Sequence, residues 1–123
     1  MRQFIFEFEQ EQALRLGITL DELLILDYFS KFFKTDRAVV RRIEGNMCFL
    51  IRYSKLVKDL PIIAGSDRTM RRHLKQLDQK GIIKRYLVKH SLFIFVDWKK
   101  IFWDETNPEV GQYLQAIVNI PHQ

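Results

Sequence analysis

The stretch from Ser66 to Ile83, SDRTMRRHLKQLDQKGII, constrains this fold most. Ser66 can cap a helix by accepting a free backbone amide, and Asp67 in the first turn suits the positive end of the helix dipole. Gly81 supplies a stop. A helix is therefore predicted over 67–80. At about 100° per residue, Met70, Leu74 and Leu77 share one face, and Ile82 and Ile83 continue the core. The opposite face holds Arg68, Arg72, Lys75 and Gln79, flanked by Thr69 and Gln76. Arg71 falls about 100° from Met70, as a flank or salt-bridge residue rather than a base reader. His73 falls at the core border, as a packed histidine. Such a helix buries one side and presents a basic, amide-bearing side to solvent.

Its neighbours complete a small motif. Residues 53–60, YSKLVKDL, predict a short helix with Ser54 as N-cap, Leu56, Val57 and Leu60 apolar, and Pro61 as its end. Residues 62–65 are a connector. After Gly81, the runs 82–88 and 92–98 read as strands joined by Lys89-His90-Ser91, a hairpin. Lys84 and Arg85 read as surface residues beside it. Upstream, 38–43 and 47–52 read as another hairpin around Glu44-Gly45-Asn46, with Cys48 as a structural thiol in its second strand.

The remaining segments are simpler. Residues 3–8, QFIFEF, alternate with Phe4, Phe6 and Phe8 on one side, a strand pattern. Residues 9–16 are helix formers stopped by Gly17. Thr19 and Glu22 have capping-box spacing, predicting a helix over 20–34. Leu20, Leu23, Leu24, Tyr28 and Phe32 form its apolar stripe, widened by Ile25, Leu26, Phe29 and Phe33, so a central helix is expected. After Trp103 comes a polar break, and Asn107-Pro108 opens a last helix. Val110, Tyr113, Leu114, Ile117 and Val118 form its apolar stripe, which either packs back on the domain or joins two copies as a homodimer. The expected organisation is one domain over 1–103 and a C-terminal amphipathic helix and tail over 104–123.

Charge is unevenly placed. The 123 residues carry 20 Lys and Arg against 15 Asp and Glu, a net charge of +5. Counted along the sequence, 1–33 and 91–123 are both net acidic, whereas 34–90 carries 15 basic and 5 acidic side chains. A partner with phosphates would be met in that middle block. Other classes recede. A single Cys excludes an intrachain disulfide, and three scattered His, with that one Cys, point to no metal site. No apolar run has the roughly 18 residues of a spanning helix, and the start lacks the pattern of a secretory signal, so a cytoplasmic protein with no membrane partner is expected. No P-loop, HExxH, GxSxG or dinucleotide fingerprint occurs, so no enzyme activity and no cofactor are expected.

Helix, short turn, capped helix, glycine, hairpin is the order of a winged helix-turn-helix. A helix fits the major groove of B-DNA, where Arg reads guanine and Gln reads adenine by paired hydrogen bonds. The N-terminal part of the second helix reads bases and the first helix crosses the backbone. The expected recognition residues are Ser66, Arg68, Thr69, Arg72, Lys75, Gln76 and Gln79. Lys55 and Lys58 are placed for the DNA backbone, and Lys89 and His90 for the hairpin tip.

The pattern Ser-x-Arg-Thr-apolar-x-Arg-x-Leu-x-x-Leu-x-x-x-Gly resembles the recognition helix of bacterial winged-helix proteins. With the upstream hairpin and Tyr53, Leu56, Leu60 and Pro61 of IRYSKLVKDLPII, residues 10–98 are similar to winged-helix domains of phage and plasmid replication initiators, including the DnaD-like group. The resemblance implies an α+β winged helix-turn-helix that binds double-stranded DNA sequence-specifically, in replication initiation or transcription regulation, with replication or transcription proteins as further partners. Such initiators usually carry a further C-terminal domain, for which this sequence has no room. A stand-alone regulator, an N-terminal domain and a small phage-type protein are the readings this leaves. The alternative function is a protein–protein adaptor on the same scaffold, without specific DNA binding.

Overall fold

A computed structural model describes residues 4, 5 and 8–102. The predicted final helix, with Val110, Tyr113, Leu114, Ile117 and Val118, lies outside the described residues. The fold is α+β, with five helices and a four-stranded antiparallel sheet among the described residues. None of these helices is long and apolar enough to cross a membrane. The described residues divide into two compact units, one of those up to residue 36 with 97–102 and one of 37–96.

The first unit opens with two strands, β1 (Phe4–Ile5) and β2 (Phe8–Glu9), paired antiparallel. The alternation in QFIFEF predicts one continuous strand; here the chain instead pairs with itself, Ile5 opposite Phe8, and so satisfies backbone groups that a lone strand would leave open. Helix α1 (Gln10–Leu16) ends at Gly17, whose φ of 70° is the left-handed conformation that glycine adopts without strain.

Helix α2 (Leu20–Phe32) starts with the capping box foreseen above. The Thr19 hydroxyl accepts from the Glu22 amide at 3.2 Å, and the Glu22 carboxylate accepts from the Thr19 amide at 2.8 Å. Its buried face runs through Leu23, Ile25, Leu26, Phe29 and Phe33, whereas Leu20 is exposed. Of the expected stripe Leu20, Leu23, Leu24, Tyr28 and Phe32, Leu23 is buried but the centre is displaced toward the widening residues, because apolar spacing this broad does not by itself choose a centre. Tyr28 stacks on Phe32 at 5.7 Å and Phe29 on Phe33 at 5.2 Å between ring centroids.

Helix α5 (Trp98–Phe102) belongs to this unit, and Gln12 donates to the Lys100 carbonyl at 3.0 Å. Trp98 was expected at a strand end. Asp97 ends that strand by accepting the Lys100 amide at 3.2 Å, a helix-starting contact.

The second unit is built on β3 (Val40–Ile43), β4 (Asn46–Ile51), β5 (Ile83–Val88) and β6 (Ser91–Val96), in the order β3-β4-β6-β5. The two hairpins join along β4 and β6, with Phe49 opposite Ile94 and Ile51 opposite Leu92. Both turns are two residues long, shorter than expected, so Asn46 and Ser91 are strand residues. On one sheet face, Phe49, Ile51, Ile83, Ile94 and Val96 are all buried.

Helices α3 (Tyr53–Asp59) and α4 (Asp67–Gln79) lie in sequence between β4 and β5. Leu56, Ile63, Met70, Leu74, Leu77 and Ile82 are buried. Ser54 is not the N-cap of α3. The chain passes from β4 into the helix through Arg52 alone, which takes the cap position without a side-chain hydrogen bond, so Ser54 falls inside the first turn. Leu60, before Pro61, leaves the helical conformation as a residue preceding proline should.

Candidate nucleic-acid interface

Helix α4 is fixed at both ends and along one side. Ser66 caps it, its Oγ accepting the Thr69 amide at 3.2 Å and lying 3.2 Å from the Thr69 hydroxyl, to which it donates. Gly81, at φ 75°, turns the chain into β5. Met70, His73, Leu74 and Leu77 are buried, with His73 packed as its border position implied. The His73 Nδ1 is buried without a hydrogen-bond partner among the described residues.

The opposite face is open. Arg68, Arg72, Lys75, Gln76 and Gln79 are exposed, and none of their side chains makes a hydrogen bond or ion pair with a described residue. From Arg68 to Gln79 the face extends about 16 Å at 1.5 Å rise per residue. Its donors are therefore uncommitted, which distinguishes them from two other cations of the same unit. Arg41 lies over the Phe93 ring at 5.9 Å and Arg85 is paired with Asp78 at 2.9 Å. Burial works against the Arg85 charge, but hydrogen bonds to Asp78 and Tyr53 outweigh it and raise its pKa.

The other expected residues divide. Ser66 and Thr69 are engaged with each other in the cap, so their hydroxyls are less available than those of a bare helix start. Lys55 forms an ion pair with Asp59 at 2.9 Å, one turn along α3. Lys58 is exposed and has no such partner. Lys89 and His90 are the whole of the β5–β6 turn, both exposed, at φ 49° and 69°. Neither is glycine, and the left-handed conformation costs an ordinary residue about 1–2 kcal/mol. No Asn-Gly or Asp-Gly pair marked this turn in the sequence.

Two arrangements escaped sequence reasoning. Arg71 does not form a salt bridge; its guanidinium lies 4.9 Å from the centroid of the Tyr53 ring, a contact between residues with no periodic relation. The Asp78–Arg85 pair spans the Gly81 turn, a spacing that neither helix nor strand periodicity marks.

Among the described residues, no group of three or more His, Cys, Asp or Glu is placed to hold a metal ion. Cys48 is fully buried, with Sγ 3.4 Å from the Asn46 carbonyl, and burial raises its pKa. Comparison of the chain with protein-family models, with curated proteins and with solved structures finds no match.

Proposed function

We propose that this chain is a winged helix-turn-helix protein that binds double-stranded DNA sequence-specifically, in phage- or plasmid-type replication initiation or in transcription regulation. The observation that carries the reading is the open face of α4, where Arg68, Arg72, Lys75, Gln76 and Gln79 are exposed and uncommitted while the other side of the helix is buried. A helix with that face fits a major groove about 12 Å wide. The order α3, turn, α4, Gly81, β5–β6 supports it, with Lys89 and His90 at the hairpin tip. Arg68 and Arg72, nearest the start of α4, read base edges. Lys75 and Gln79, further along, meet phosphates, as does Lys58.

Selection of bound sequences from a random duplex pool, followed by gel shift at fixed salt, tests this. The expected result is an enriched site whose affinity falls steeply with salt. Arg72→Ala should weaken that site by about 1–3 kcal/mol and relax one base position. Absence of any duplex binding at low salt would overturn the reading in favour of the protein–protein adaptor.

A further inference from the structure

Beside α4 lies a cleft of about 430 Å³, lined by Tyr53, Arg71, Asp78, Arg85, Leu87 and Leu92. We propose that it binds a small organic carboxylate, a planar or alkyl group bearing a single negative charge. The volume is that of small-molecule sites, roughly 300–1,000 Å³.

The chemistry of the lining narrows the ligand. Arg85 and Asp78 are paired at 2.9 Å and offset each other's charge. Arg71 has only the face of the Tyr53 ring, at 4.9 Å, and no hydrogen bond or ion pair with a described residue. A guanidinium laid on a ring keeps its edge donors, and their fork matches a carboxylate by two parallel hydrogen bonds. The cleft thus offers one uncompensated positive charge. A second negative group would find no unpaired cation in the lining, which disfavours a polyanion. Leu87 and Leu92 are cross-strand partners on one sheet face, and Leu87 is 75% exposed. They form an apolar patch opposite a cationic one, which suits an amphipathic ligand.

The proposal goes beyond the DNA reading and does not depend on it. Its test is a titration of the whole chain with benzoate, read from backbone amide shifts in nuclear magnetic resonance without DNA. Saturable shifts at Tyr53, Arg71 and Leu92 are expected, with none from benzylammonium and weaker binding of the doubly charged phenyl phosphate. Arg71→Gln should weaken benzoate about tenfold, the loss of one charge-assisted contact. Leu87→Glu, at an exposed position, should weaken it as well. Lys84→Gln, on the other face of the same sheet, should leave it unchanged. No saturable shift, equal binding in Arg71→Gln, or tighter binding of phenyl phosphate would overturn the assignment.

Discussion

The two hairpins of the sheet solve one problem in two ways. Each closes with two residues at positive φ, the conformation that a two-residue turn needs to follow the strand twist. In β3–β4, the pair is Glu44-Gly45, and Arg42 donates to the Gly45 carbonyl at 3.3 Å. In β5–β6 it is Lys89-His90, with no glycine and no hydrogen bond or ion pair from either side chain to a described residue. In the first turn Gly45 takes the left-handed conformation without strain, Glu44 at φ 50° alone carries its cost, and Arg42 ties the turn down. The second holds strain and points a basic side chain and an imidazole into solvent. Under the DNA reading, the side chains at the tip are worth that strain.

The largest effect should come from what the hairpins share. Ile94, opposite Phe49 in one hairpin and Arg85 in the other, is fully buried. Ile94→Ala should cost about 2–5 kcal/mol in urea unfolding, and amide exchange should quicken in β3 as well as β5. Protection retained in β3 would show that the hairpins hold separately.

Next comes the glycine. Gly45 at φ 80° has open space where a Cβ would stand, so substitution meets strain and not a clash. Gly45→Val should destabilise by about 1–2 kcal/mol, read from the same unfolding curves. The converse is Lys89→Asn with His90→Gly, which should stabilise by about 1 kcal/mol. It should also lower the salt dependence of duplex binding by about one unit of slope, because one cation has gone. Stabilisation with the slope intact would detach the tip from the interface.

The smallest effect concerns Cys48 in the first hairpin. Burial raises its pKa above the ordinary 9.0, so the fold disfavours the thiolate. The stability this gives is fully present below the ordinary 9.0 and is lost as pH rises from there through the raised folded value. Alkylation by iodoacetamide should be slow in the native protein and fast in urea. Fast native alkylation would mean that β4 opens.

Much of this was legible locally. The Thr19–Glu22 box, the Ser66 cap and the stops at Gly17 and Gly81 are short-range chemistry, and each falls where the sequence placed it. The burial of Met70, Leu74 and Leu77 followed from helical period. The junction of β4 with β6 was not legible, because nothing near Ile51 points to Leu92. The Lys89-His90 turn was hidden for the opposite reason, since its residues contradict the usual turn preference. Within the candidate site, the outward face of α4 was readable from period alone. The diversion of Arg71 onto Tyr53 depends on side-chain geometry that period does not encode, whereas the pairing of Lys55 with Asp59 is an i,i+4 contact that helical period marks.

The junction of β4 with β6 also sets an order of events. Each hairpin closes over a few residues, a matter of microseconds. Pairing Ile51 with Leu92 must enclose both α3 and α4, and the entropy of closing that long loop comes due before the contacts reward it. Assembly of the sheet is therefore expected to be slower than closure of either hairpin.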